Sequence, residues 1–317
     1  MTKKRLLITG ATGLTGGHAL TQLDTDDFEV RALVRRHDQT SKALEERGVE
    51  ICVGDITNMA DVQRALADVD RAYFVYPIRS GLVPATVQFA HFAREAGVGY
   101  IVNMSQISAR PDATSRAAKA HWLAERALDW CGVPVTHLRP TFFADWMTRT
   151  APMLARGDTV FLPFDGGRHA PISGMDQGRV VAALLKSPHQ HAGQTYKLTG
   201  AAEVTPAEMV DQMGQHIGRR LTFQPVPAEV FCDPIKQQIS RAFSDPADPG
   251  LVEQLADIDY LAQHLGEVAK DYATGSFSGV NTAVADITGT PVQTLAEFYS
   301  DNDAVYRTSK PVGSAVN

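Results

Sequence analysis

Leu6-Leu7-Ile8-Thr9-Gly10-Ala11-Thr12-Gly13-Leu14-Thr15-Gly16-Gly17 runs from a short apolar stretch into glycines spaced GxxGxxG. The apolar run reads as a strand, Gly10 ends it, and helical spacing resumes from Gly16 to Leu23. Strand, glycine turn and helix in that order suit a nucleotide. Glycines let the backbone approach a pyrophosphate closely, and the helix N-terminus offers free N–H groups and a positive dipole. The spacing is one residue looser than GxGxxG, but the physical logic is the same. Gly10, Thr12, Gly13, Leu14, Thr15 and Gly16 are therefore candidate cofactor contacts.

Working outward, the alternation repeats. Glu29–Val34, Val49–Val53, Ala72–Val75, Tyr100–Met104 and Val133–Leu138 read as strands. Between them lie helical stretches at about 58–67, 84–96 and 115–131. Parallel neighbours need crossovers of this length, so the first half predicts an α/β, doubly wound parallel sheet. After Arg139-Pro140 the rhythm changes. Thr159–Pro163 reads as a strand, Asp165-Gly166-Gly167-Arg168 as a turn, and Asp176 as the N-cap of a helix to about Leu185. Gln194–Leu198 is placed back in the main sheet. Thr205-Pro206-Ala207-Glu208 is a capping box with proline at the first helical position. From about Pro234 to Tyr306 the chain reads as mostly helical, with an irregular stretch at Ser244–Gly250. The expected division is a nucleotide-binding domain at 1–155 rejoined by about 188–204, a smaller, mostly helical C-terminal domain at 156–187 and 205–308, and a loose tail at 309–317. The smaller domain caps the carboxyl ends of the strands, where such sheets bind ligands.

Among the 317 residues, 30 Lys and Arg face 36 Asp and Glu, a formal charge of −6, which gives no general footprint for nucleic acid. Three cysteines, Cys52, Cys131 and Cys232, have no CxxC spacing and read as reduced, cytoplasmic thiols. No apolar run is long enough to span a membrane. His189-Gln190-His191 lacks a nearby carboxylate, so no metal site is expected. Ser105 follows the fifth strand without a GxSxG elbow or a triad, which disfavours hydrolase chemistry.

After the second strand, where an acidic residue usually meets a free ribose, the chain has Val34-Arg35-Arg36. A guanidinium fork suits a 2′-phosphate, so Arg35, with Arg36 or Lys42 as helper, argues for NADPH over NADH. The alternative is that these are solvated surface charges. Asp55 either meets the adenine or caps the next helix. Ile56, Tyr76, Asn103, Ser105 and Pro140, at the carboxyl ends of successive strands, complete the expected cofactor contacts. Phe142, Phe143 and Trp146, with Met147, follow the sixth strand. They read either as a wall for a planar, apolar acceptor such as a quinone or as core between the domains.

These residues together resemble the NmrA-like group of atypical short-chain dehydrogenases/reductases, which includes quinone-oxidoreductase-like enzymes and redox-sensing regulators. The resemblance runs through Ile8–Gly13, Val30–Arg35, Gly54-Asp55, His121–Glu125, His137–Phe143, Asp165–Arg168 and Thr288–Pro291. It implies an NADP(H)-binding Rossmann-type domain, a smaller C-terminal domain and a cleft between them. The wider superfamily uses a Tyr-x-x-x-Lys pair for proton exchange. Here the tyrosine position on the expected helix is Ala117, and Tyr306–Lys310 is a chance match at the C-terminal edge. Counting back from Pro134, isoflavone-reductase-like relatives place a lysine where this chain has His121. With an unperturbed pKa near 6.5, His121 is either a proton donor to a reduced substrate or a helix-face residue bonded to a loop. Two functions follow: an NADPH-dependent reductase of quinone-like or other activated carbonyl and conjugated compounds, or a non-catalytic NADP(H) sensor acting through a protein partner. A homodimer suits either.

Overall fold

In the computed structural model, which describes residues 3–307, the first half of the chain alternates strand and helix as its apolar periodicity requires. The tail at 309–317 lies outside the described residues. The elements are β1 (Lys4–Thr9), α1 (Leu14–Thr21), β2 (Phe28–Val34), α2 (Gln39–Glu45), β3 (Glu50–Val53), α3 (Met59–Leu66), β4 (Arg71–Phe74), α4 (Leu82–Glu95), β5 (Tyr100–Met104), α5 (Arg116–Trp130) and β6 (Val135–Pro140). There follow α6 (Ala151–Leu154), β7 (Thr159–Leu162), α7 (Gly174–Lys186), β8 (Thr195–Leu198), α8 (Pro206–Ile217), β9 (Thr222–Pro225), α9 (Ala228–Arg241), α10 (Pro249–Ala273), α11 (Ala283–Thr288), α12 (Leu295–Asp301) and α13 (Asp303–Arg307).

Seven parallel strands form one sheet in the order β3-β2-β1-β4-β5-β6-β8. Along β1 the side chains alternate between two cores. Leu6 and Ile8 pack with α1 and α7, whereas Leu7 packs with residues of α3, α4 and α5. With both faces covered, Leu6-Leu7-Ile8 in β1 and Tyr100-Ile101-Val102 in β5 are unbroken apolar runs. Strand order reverses between β1 and β4, and a crevice opens there at the carboxyl ends.

Two features depart from the sequence reading. The helix expected in the smaller domain, α7, packs on the sheet against α1. A Cβ added to Gly174 would lie 2.3 Å from Leu14 Cγ, and one on Gly178 2.5 Å from His18 Cβ, so these glycines permit the close approach. The N-cap of α7 is Ser173, whose Oγ accepts from Asp176 N at 3.2 Å. Asp176 is instead buried in the first turn, paired with Arg179 and accepting from Gln293 N. The smaller domain is mostly helical and contains the expected strand as β7, but β7 pairs in parallel with β9, a strand that the sequence reading did not include.

That domain has its own core of Phe142, Met147, Leu162, Phe164, Met213, Tyr272 and Tyr299. It is fastened above the sheet through the N-terminus of α5. Arg110 makes a bidentate pair with Asp271 of α10 at 2.9 and 2.8 Å, Thr114 donates to Glu267 at 2.6 Å, and Ser115 bonds His264 at 2.8 Å. This fastening holds α10 over the crevice and gives the site its roof.

Candidate functional site

A cavity of about 750 Å³ runs from the switch point of the sheet to the underside of α10. Gly10, Thr12, Gly13, Leu14, Thr15, Gly16 and Arg35 line one end, Phe142, Trp146, Phe164 and Tyr272 the other, and Ser105, Gln106, His121 and His264 the span between.

The first end is shaped by backbone. Gly10 has φ +60°, and a Cβ there would sit 2.5 Å from Val75 Cγ1. One on Gly16 would sit 2.3 Å from the Gly10 carbonyl oxygen, so only glycine fits. Helix α1 begins at this turn with no side-chain cap and no acidic residue in its first turn. Its leading N–H groups therefore lack side-chain acceptors beside a cavity wall. Such a cradle fits a dinucleotide pyrophosphate, with the chain's own amides as donors.

Arg35 lines the same end, exposed and without an ion pair among the described residues. Neither Arg36 nor Lys42 lines the cavity. The second guanidinium there belongs to Arg79, which lies past β4. Asp55 is not part of the lining and does not cap α3, whose N-cap is Asn58. Its carboxylate accepts from the Thr57 backbone N–H at 2.8 Å and the Thr57 hydroxyl at 2.7 Å. The backbone bond, helped by Arg79 and Arg35, holds it below the usual carboxylate range. Asn103 is likewise outside the lining. It is buried and spends its amide on His137 Nδ1 at 2.9 Å, across the β5–β6 register. Ile56, Tyr76, Ser105 and Pro140 do line the cavity.

Midway, Ser105 Oγ is buried near the Glu125 carboxylate but without a hydrogen-bond partner, and Gln106 Nε2 is likewise unpaired. Glu125 is fully buried. Burial favours its neutral form, yet the bidentate bonds from Arg139 at 2.8 and 2.5 Å outweigh this and keep it ionised. One turn earlier on α5, His121 faces the cavity. Burial first, then the nearby His264, pushes its pKa down to about 3. The unperturbed value near 6.5 is thus not retained, and the ring is a neutral hydrogen-bonding group at ordinary pH. His264 is depressed to about 4 by burial. Ser115 Oγ accepts from Ala118 N and is hydrogen-bonded to His264 Nδ1.

The far end is aromatic. Phe142 meets Phe164 edge-on at 4.9 Å and Trp146 in a stack at 6.4 Å, while Tyr272 closes on Phe164 at 5.3 Å. Phe142 and Trp146 belong both to the lining and to the core of the smaller domain. Phe143 lines the cavity beside an isolated bridge to Ile172, and Met147 is wholly core. Tyr306 is buried in α13 and absent from the lining, and Lys310 lies outside the described residues. No metal-holding cluster occurs among the described residues, and no helix among them is long and apolar enough to cross a membrane.

The NmrA-like family model matches residues 2–271. The chain belongs to the NmrA-like family. Across 303 residues this NmrA-like chain is 26% identical to an NAD(P)H azoreductase of Xenophilus azovorans, covering 95% of this chain and 99% of that protein. An NADPH-dependent quinone oxidoreductase from Escherichia coli, solved with NADPH, superposes with a TM-score of 0.76 at 22% identity over 94% of this chain and 99% of that one. The negative transcriptional regulator NmrA, solved with NAD, gives a TM-score of 0.71 at 15% identity over 94% of each chain. At these identities the two structures establish the fold alone.

Sequence reasoning missed Arg79, Phe164, His264 and Tyr272 of the NmrA-like cavity. Arg79 stands close enough behind β4 to be found by reading past the strand end. The other three have no local signal, because the fold of the smaller domain alone brings them over the sheet.

Proposed function

We propose that this NmrA-like protein is an NADPH-dependent reductase that passes hydride to a planar, apolar acceptor of the quinone or azo type. The observation that carries the reading is the continuity of one cavity from the glycine cradle into the aromatic chamber, past two neutral histidines. Relatives named azoreductase and quinone oxidoreductase support it.

Gly10–Gly16 and the first turn of α1 would hold the pyrophosphate, and Arg35 the 2′-phosphate. Bound there, the nicotinamide supplies the hydride. Phe142, Trp146 and Tyr272 orient a flat acceptor and exclude water, which is where such a reaction gains its rate. His121, uncharged, donates a hydrogen bond to an acceptor heteroatom as negative charge builds on it. No Tyr/Lys pair is required, because a quinone or azo group accepts hydride without prior protonation by a side chain.

A second reading, an NADP(H) sensor without turnover, draws on Ala117 at the superfamily's tyrosine position and on the likeness to NmrA. Titration of the purified protein with NADPH and NADH, followed by a quinone and azo panel while reduced-nicotinamide absorbance is watched, separates the two. Acceptor-dependent oxidation is the expected result. Tight binding with no oxidation moves the assignment to the sensor, and absence of binding overturns the cofactor site.

A further inference from the structure

Two arginine–aspartate pairs join the sheet domain to α10, and they are unlike each other. Arg110 and Asp271 meet in a bidentate pair at 2.9 and 2.8 Å. Arg79 and Asp257 approach only to 3.7 Å, beyond hydrogen-bond range. Arg79 Nε is buried with no partner, although a guanidinium carries donors that a well-made pair would satisfy. The group lies over the Tyr76 ring at 5.5 Å, and the Tyr76 hydroxyl is fixed to the Ser80 carbonyl at 2.8 Å. Arg79 is thus steered by an aromatic platform into the cofactor end of the cavity, where its charge and that of Arg35 both reach Asp55.

We infer that Arg79 is a further phosphate-binding cation for the dinucleotide, and that its loose ion pair with Asp257 gives way when the cofactor loads. The inference rests on the cofactor reading above and adds a coupling to it: a cofactor phosphate and the roof helix compete for one guanidinium. Asp257 is poorly matched for that contest. Burial raises its pKa above the usual carboxylate range, and Arg79 offsets this only in part. A phosphate group offers two oxygens for the bidentate geometry that the 3.7 Å contact lacks. Loading therefore frees this point on α10 while the Arg110–Asp271 pair stays closed, loosening one side of the chamber as the cofactor seats.

The test is an equilibrium titration of the intact protein with NADPH and with NADH, for wild type, Arg79→Gln and Asp257→Asn, with circular dichroism to verify folding. Arg79→Gln should weaken NADPH about tenfold or more, the range for a charge-assisted contact. Asp257→Asn, which removes the competitor and keeps the cation, should tighten it by roughly threefold to tenfold. A loss confined to NADPH assigns Arg79 to the 2′-phosphate, and equal losses for NADPH and NADH assign it to the pyrophosphate. Unchanged affinities in Arg79→Gln, or unchanged or weaker binding in Asp257→Asn, overturn the inference. A wild type that binds neither dinucleotide instead defeats the cofactor reading itself.

Discussion

The two ends of the cavity are made of different material. At the cofactor end the wall is backbone: a glycine at φ +60°, a carbonyl 2.3 Å from where a Gly16 Cβ would stand, and the uncapped start of α1. At the other end it is side chain, with Phe142 and Trp146 after β6, Phe164 after β7 and Tyr272 near the end of α10. A backbone wall admits no added atom and recognises what every dinucleotide shares. A wall of packed rings tolerates swaps that conserve volume and sets which acceptor enters. Changes at the first end should therefore strike cofactor affinity, and changes at the second should strike turnover or stability.

The largest effect should come from a single methyl group. Gly16→Ala forces the Gly10 carbonyl to move, and overpacking of this kind is expected to weaken NADPH by about a hundredfold. Titration beside a thermal melt checks it, and near-normal affinity in a folded variant would break the backbone side of the comparison. Arg35→Ala comes next, with NADPH roughly thirtyfold weaker and NADH little changed, since only a charge-assisted contact to the 2′-phosphate is lost. Equal losses for the two nucleotides would remove Arg35 from that site. His121→Phe then probes the middle of the cavity. We expect kcat about tenfold lower with NADPH affinity unchanged. Because the ring is already neutral, with its pKa near 3, the wild-type rate should show no His121 titration between pH 6 and 8. A rate step near pH 6.5 that disappears in the variant would contradict the neutral assignment.

The same division explains what could be read from the sequence. Strand, glycine turn and helix are local patterns, so the sheet, the glycine turn at its switch point and the position of Arg35 at the end of β2 were legible from spacing alone. An amphipathic stretch shows that α7 buries a face but not against which layer, and the pairing of Gly174 and Gly178 with α1 exists only in the folded chain. Strand β9 is short and mostly exposed, and it takes its partner β7 from far upstream. Asn103 does stand at the carboxyl end of β5, but the β5–β6 register sets His137 beside it, which claims its amide. Asp55 was misplaced for a related reason: Thr57, two residues on, satisfies it locally. Residues that serve the site through tertiary contact, His264 and Tyr272 above all, carry no mark in the sequence.

The smallest expected effect lies behind the aromatic wall and should leave the cofactor end untouched. His169 is 1% exposed, neither ring nitrogen has a hydrogen-bond partner, and its ring lies 4.6 Å from that of Tyr272 and 5.6 Å from that of Phe142. Burial pushes its pKa down to about 4. The unfolded chain takes up a proton near pH 6.5 while the native ring refuses it. Stability linked to this group is therefore complete above about pH 6.5 and lost as the pH falls toward 4. His169→Phe removes that linkage and leaves no unpaired nitrogen. Urea unfolding at pH 7.5 and 5.0 should show the variant losing about 1–2 kcal/mol less than wild type on acidification. His121 and His264 retain their own depressed values, so part of the acid sensitivity persists in the variant. NADPH affinity at pH 7.5 should not change, because the histidine meets the cavity only through the rings in front of it. Equal acid losses in the two proteins would show that His169 is solvated, and a fall in NADPH affinity would show that the two ends of the cavity are not separable.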